Sequence, residues 1–340
     1  MRNKKSALML TLGILVIHLN ASFAADFKYN FPNFLVGTAE YPKGPTGCTV
    51  FSFPKGAIGS VDVRGGSAAL REANSLQEES SWGWLDALVF AGGSTFGLEA
   101  ASGVAREILK QRKSVSFDNI PVVPSAIVYD FTGRDNFIFP DLELGAQAFR
   151  AAQKNQVTTG RYGAGANISA GKFLSNSYSE KSGQGAAFIE TNGIKIFALT
   201  ILNALGNILN RKGEIILGSL DPSTGVRMLF DPSAKNHTRA DAPKLGNTTL
   251  SVIITNAALD RGELRRLAIA AHTSMARVIE PFHTSSDGDT LFAVSTTIEP
   301  HKAPRNRLNL DQISLISGQL LQAAVANAVE STQMIEPSKK

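Results

Sequence analysis

Thr248 is the residue in this sequence whose type and setting best suit it to covalent chemistry. It lies in Gly246-Asn247-Thr248-Thr249-Leu250-Ser251-Val252-Ile253-Ile254, a run rich in β-branched residues that follows a Pro/Gly-containing loop and reads as a β-strand. A period of two puts Thr248 on one face with Leu250, Val252 and Ile254, and Thr249, Ser251, Ile253 and Thr255 on the other. A threonine hydroxyl is a weak nucleophile until a base takes its proton. If the chain were cut before Thr248, the new α-amino group, with an ordinary pKa of about 7.7–8.0, would supply a base at a fixed distance. The plain alternative is a buried strand that happens to begin with a threonine. Downstream, Asp287-Gly288-Asp289 sets two carboxylates two residues apart. In an extended chain both would project to one side; the alternative is an Asp-Gly turn.

Other routes to chemistry have less support. Cys48, the single cysteine, is flanked by Gly47 and Thr49 with no histidine near it in sequence. It reads as a small buried residue, and no intramolecular disulfide can form. Four histidines outside the first 24 residues (His237, His272, His283 and His301) are scattered, and neither HExxH nor CxxC spacing occurs. No metal site and no cofactor are expected. Ala91-Gly92-Gly93-Ser94, between an apolar strand and a helix, lacks both the GxGxxG and the P-loop pattern. It reads as a tight strand-to-helix turn or, alternatively, as a helper site for a substrate carboxylate on free backbone N–H groups.

The first 24 residues carry Arg2, Lys4 and Lys5, then an apolar run from about Ala7 to Leu19, then Ser22-Phe23-Ala24. That is the pattern of a secretory signal peptide, too short in its apolar core for a typical anchor, and it predicts a periplasmic or secreted protein. Without its three positive charges the formal net charge falls from +5 to +2. No dense Lys/Arg run with interleaved aromatics occurs, so no nucleic-acid partner is expected, and no membrane partner once the signal is removed.

The elements that must position Thr248 follow from periodicity. Thr46–Phe53 and Gly59–Arg64 read as two short strands joined at Pro54–Gly56. Asp62 and Arg64 predict either a mutual ion pair, a network of Arg64 with Arg71 and Glu72, or a solvated turn. Leu85–Phe90 is an apolar strand, followed by a helix from about Thr95 to Lys110 with Phe96, Ala100, Val104 and Ile108 on its apolar face. The stretch 120–130 leads into a further apolar strand that ends at Tyr129. Tyr162–Lys172 is Gly/Ala-rich and predicts a close approach of backbones. Ala186–Glu190 and Ile194–Leu202 form a hairpin across Thr191-Asn192-Gly193. Gly218–Leu245, with three prolines, reads as a long exposed loop ahead of Thr248. After it come a helix at about 260–279, with Leu264, Leu267, Ala271, Met275 and Val278 on one face, and a strand at 291–296. A helix at about 311–331 ends the series. His272 and Arg277 fall off the apolar stripe and are expected to be solvated or helix-terminal.

Taken together, these pieces resemble the DmpA/BapA-type self-processing aminopeptidases, the P1 or S58 peptidase family. The resemblance rests on Thr46-Gly47-Cys48-Thr49-Val50, Asp62-Val63-Arg64-Gly65-Gly66, Gly92–Ala101, Val122-Val123-Pro124 and Gly163-Ala164-Gly165. It continues through Asn203-Ala204-Leu205-Gly206, Asn247-Thr248-Thr249, His283-Thr284 and Asp287-Gly288-Asp289-Thr290. It implies an α/β, four-layer αββα sandwich of the type shared with ornithine acetyltransferases. It also implies self-cleavage between Asn247 and Thr248 into an α-chain, 25–247, and a β-chain, 248–340, intertwined in one catalytic domain. The implied activity is an aminopeptidase or amidase acting on small peptides or amides through an acyl-enzyme on Thr248, in a homo-oligomer of αβ units. By the same resemblance Asn203 is the oxyanion-hole donor, where an Asn-Ala-x-Gly turn is the alternative. Asp289 is the acid that orients the nucleophile's amino group or a proton relay, and Tyr129 is an active-site tyrosine. Asp287 stands where relatives with a serine nucleophile carry serine, Asp-Gly-Asp being the form of the threonine-type branch, and Ala166-Asn167-Ile168 departs from a more usual threonine-containing stretch. Two other readings remain: an acyltransferase of ornithine acetyltransferase-like architecture, and a catalytically inert exported binding protein.

Overall fold

The computed structural model describes residues 26–233, 246–304 and 306–335. The expected signal segment and residues 234–245 of the loop before Thr248 lie outside them. Nine strands form one hydrogen-bonded sheet: β1 (Leu35–Tyr41), β2 (Thr46–Val63), β3 (Leu70–Arg71), β4 (Trp84–Ala91), β5 (Ser125–Ile127), β6 (Gln184–Thr191), β7 (Ile194–Asn203), β8 (Thr248–Thr255) and β9 (Thr290–Ser295). The order is β6-β7-β8-β9-β2-β4-β5-β3, with β1 also paired to β2. The β8/β9 and β4/β5 pairs are parallel and the others antiparallel. Four helices complete the core: α1 (Glu99–Arg112), α2 (Leu142–Arg150), α3 (Arg261–Ser274) and α4 (Leu310–Ile335).

The sheet folds over on itself, and β2 is the hinge. The sequence suggests two strands here, yet β2 runs unbroken through Pro54–Gly56. Residues 46–52 pair with β1 and residues 58–63 with β9, while the register against β4 shifts between Ser52 and Ala57. A bulge bends a strand without ending it, so one strand serves both halves. Alternation then sorts the side chains into three cores. Phe51, Phe53, Leu88 and Phe90 from one half meet Phe197, Leu199, Leu250, Val252, Ile254 and Phe292 from the other. Phe90 and Phe292 touch across the layers with ring centroids 5.9 Å apart. The opposite faces pack under helices. Ile196, Ala198, Ile253, Leu291 and Ala293 lie against α3 and α4, and Cys48, Val50, Ala87 and Val89 lie against α1 and α2. Burying one such side chain is worth about 1.5–3 kcal/mol, so the facing Phe and Leu residues bind the halves strongly. The resulting layer order is helix, sheet, sheet, helix, as expected.

Other expectations change in detail. Within 120–130 only Ser125–Ile127 pairs as a strand, because Pro121 and Pro124 lack the N–H a ladder needs. The first turn of the helix after Gly93 is a 3₁₀ turn, Ser94–Leu98. Its tighter pitch takes Phe96 off the buried stripe, leaving it 63% exposed against Phe139. His272, expected to be solvated, has no exposed surface. Asp62 reaches across from β2 and binds its Nδ1 at 2.9 Å, giving the buried imidazole a partner that the local pattern does not reveal.

Candidate active site

Thr248 opens β8 at the edge of the interior between the two halves, on the face of Leu250, Val252 and Ile254 as the period of two predicts. It is register-paired with Asn203, the last residue of β7. The Thr248 hydroxyl donates a short hydrogen bond to the carbonyl of Asn247.

Two consecutive residues of one loop hold the backbone on either side of Thr248. The Gly288 N–H donates to the Asn247 carbonyl at 2.8 Å. The Asp289 carboxylate accepts the Thr249 N–H at 2.7 Å. A side chain at position 288 is excluded, since its Cβ would lie 2.5 Å from the Thr248 Oγ1. Gly246 is equally constrained, because a Cβ there would meet the Tyr129 Cβ at 2.1 Å. The Asp287-Gly288-Asp289 stretch is therefore more than a turn: its middle amide is a donor to the Asn247 carbonyl. No residue-type signal could have flagged a backbone N–H for this role.

Asn203, expected as the oxyanion-hole donor, is bonded to other carbonyls. Its Nδ2 donates to the Gly246 carbonyl at 3.1 Å and to the Tyr129 carbonyl at 3.2 Å. Tyr129 is 38% exposed, with its ring edge against Phe131. Asp287 and Asp289 are both buried. Asp287 accepts the Thr284 N–H at 2.9 Å and the Thr284 hydroxyl at 2.6 Å. Burial, together with the nearby Asp289 charge, pushes the Asp287 carboxyl up to about 6, against the Thr284 hydrogen bonds and Lys172.

Lys172 is the residue that sequence reasoning missed. It is 2% exposed, and its Nζ donates to Asn203 Oδ1 at 2.6 Å, Asn203 O at 3.0 Å and Gly246 O at 3.4 Å. These acceptors are neutral. Burial lowers its pKa to about 7, with the Asp287 and Asp289 charges pulling the other way. An amine so placed is part neutral near pH 7, which is what a general base needs. The one available hint was a lysine closing a Gly/Ala-rich stretch, and such a lysine is ordinarily solvated.

Two weaker candidates are closed. Cys48 is fully buried, with its Sγ toward the Leu144 carbonyl at 3.6 Å, and burial pushes its thiol up. The N–H of Gly93 already donates to Asp130 Oδ1 at 2.9 Å, so the glycine turn holds the chain's own carboxylate. Among the described residues no group of three or more His, Cys, Asp or Glu could hold a metal ion.

Comparison with known proteins fits this geometry. The family model of peptidase family S58 matches residues 31–339. A 6-aminohexanoate-oligomer endohydrolase of a Kocuria species is 38% identical over 92% of this chain and 86% of its own length. An uncharacterized aminopeptidase of Mycobacterium tuberculosis is 35% identical over 74% of this chain and 73% of its own. Among solved structures, the L-aminopeptidase D-Ala-esterase/amidase of Ochrobactrum anthropi, described as a variant of the Ntn hydrolase fold, superposes with a TM-score of 0.63 at 20% identity. That likeness covers 88% of this chain and 84% of the other. A Burkholderia β-aminopeptidase superposes with a TM-score of 0.62 at 19% identity, over 87% and 84%. With a match across nearly the whole folded chain, this protein belongs to peptidase family S58 and is a peptide-bond hydrolase on the Ntn-type fold.

Proposed function

We propose that the chain is exported, cuts itself between Asn247 and Thr248, and then uses Thr248 as an N-terminal nucleophile to release N-terminal residues from small peptides or amides. The observation that carries this reading is the Thr248 hydroxyl resting on the Asn247 carbonyl while the Gly288 N–H donates to the same oxygen. In the precursor step the Thr248 oxygen adds to the Asn247 carbonyl carbon, and the C–N bond to Thr248 breaks. The leaving nitrogen takes a proton and becomes the Thr248 α-amine, leaving an ester on the side chain. Water opens that ester to the Asn247 carboxylate and the free hydroxyl. Gly288 N–H supports the oxyanion that forms on the way, and Lys172 is the base candidate within the shell. Once freed, the α-amine takes over as base. The pieces would stay together, since β8 and β9 are hydrogen-bonded between β7 and β2.

A second reading concerns the acyl side. Asn203 and Lys172 hold the carbonyl of Gly246, one residue beyond the bond to be cut. A site that grips a continuing main chain suits internal amide bonds, in keeping with relatives named 6-aminohexanoate-oligomer endohydrolases.

The test of the main reading is direct. Purified protein is run on a denaturing gel, and the N-terminus of the smaller fragment is sequenced. Thr248-Thr249-Leu250 is expected. A single intact band after long incubation, or cleavage that persists in Thr248→Ala, overturns the reading. Product analysis on an oligoamide separates end from internal cleavage, and an added amine acceptor separates hydrolysis from acyl transfer.

A further inference from the structure

A second buried cluster lies directly behind Asp289. His283, three residues after the end of a short strand, donates to Asp289 Oδ2 twice, through its backbone N–H at 3.0 Å and its ring Nδ1 at 3.2 Å. A carboxylate oxygen only accepts, so Nδ1 carries the proton. The other oxygen, Oδ1, takes the Thr249 N–H. Asp289 has no exposed surface, and these three N–H groups hold both of its oxygens. His283 is backed in turn by His272, whose ring meets it edge-on with centroids 4.4 Å apart. His272 is fixed by Asp62, which also binds Arg64 at 2.9 Å and Arg265 at 3.2 Å. Burial would raise the Asp62 carboxyl, but His272 and Arg64 outweigh it and hold it below its usual range.

The backbone at His283 adds a separate observation. Its φ is 62°, in the left-handed region that costs a non-glycine residue energy, though His and Asn bear it better than most. Glycine would be the economical choice for this turn. A histidine there points to a use for its side chain.

We propose that His283 is a positioning residue for the nucleophile. It aims Asp289, Asp289 fixes the Thr249 amide, and that amide sets the orientation of Thr248 against the Asn247 carbonyl. His272 and Asp62 are its support: they keep the His283 ring from turning away from Asp289. The inference rests on the reading of Thr248 as nucleophile, and it extends that reading to four residues on three separate elements of the fold.

Three substitutions test it, with self-cleavage followed over time after cell-free synthesis and the melting temperature measured in parallel. Asparagine keeps a donor at the Nδ1 position and tolerates positive φ. Glycine relieves the backbone and keeps its N–H to Asp289 but has no side-chain donor. Glutamine presents its amide too far out. His283→Gly is expected to slow self-cleavage by at least about tenfold, the scale of a small misplacement of reacting atoms, with no fall in melting temperature. His283→Asn is expected to restore the rate to within about threefold of the wild type, and His283→Gln to remain slow. Glycine cleaving at the wild-type rate overturns the proposal. So does asparagine cleaving no faster than glutamine when both melt at the same temperature, a comparison that holds even if the glycine variant fails to fold. If the wild type itself stays intact, the reading of Thr248 falls, and this inference falls with it. Wild-type cleavage with an unaffected glycine variant removes this inference alone.

Discussion

Two buried charged clusters in this protein stand in instructive contrast. Around Asp130 the charges are directly paired. Its Oδ2 accepts the Thr46 hydroxyl at 2.5 Å, and its Oδ1 accepts the Gly93 N–H at 2.9 Å and the Arg134 guanidinium at 3.1 Å. The Arg134 side chain is almost fully buried and also donates to the Pro45 carbonyl. Around Thr248 the pattern is different. Lys172 donates to neutral carbonyl oxygens, while Asp287 and Asp289 spend their hydrogen bonds on backbone amides, a hydroxyl and a histidine. The first arrangement ties a loop down. Burial raises the Asp130 carboxyl too, against the pull of Thr46, Gly93 and Arg134, but the second arrangement draws both an amine and a carboxyl toward neutrality, about 7 for Lys172 and about 6 for Asp287. Burying charge without contact pairing is costly, and shifts of this kind mark sites that move protons.

The largest effect that would sharpen this contrast is at Thr248. Thr248→Ala is expected to leave the chain intact and to remove activity by roughly a factor of 10⁴ or more, read by gel and by turnover. Next comes Lys172. Lys172→Met is expected to slow self-cleavage by about 10²–10⁴, and Lys172→Arg to fail as well, because arginine does not deprotonate. In the wild type the rate should rise with pH through about 7 as the amine becomes neutral. Stability carries the same signature. The unfolded lysine, with a pKa of about 10.4, holds its proton when the folded one has lost it. Stability should therefore rise with pH between about 7 and 10, a slope that Lys172→Met removes. A flat pH profile in the wild type would break the comparison.

Asp130→Asn should act in the opposite sense. It leaves Arg134 buried without its charge partner, at about 3–5 kcal/mol of stability, while folded molecules still process. Loss of processing in fully folded Asp130→Asn would merge the two clusters into one. Smallest is Cys48→Ala, expected to cost about 1 kcal/mol in denaturant unfolding and nothing in processing rate.

Much of the scaffold was legible because its information is local. A period of two placed Thr248 on the interior face with Leu250, Val252 and Ile254, and Asn192-Gly193 marked the hairpin that carries Asn203. The stripe Leu264, Leu267, Ala271 and Met275 fixed the buried face of α3. Where local signals compete, the sequence was ambiguous. Pro54–Gly56 has the composition of a turn, but pairing with β1 on one side and β9 on the other carries β2 straight through it.

The sequence by itself determined the nucleophile candidate, the face it occupies and the pair of acidic residues, which depend on residue type and on a period of two; the layers around them followed from the family resemblance. Only the tertiary structure decided that Lys172 enters from a Gly/Ala-rich stretch to meet Asn203, that the Gly288 amide faces the Asn247 carbonyl, and that His272 meets His283 edge-on behind Asp289. These contacts join residues distant in sequence, or use backbone groups that every residue has. No pattern of side-chain types records them, and their chemistry comes from burial, which belongs to the fold.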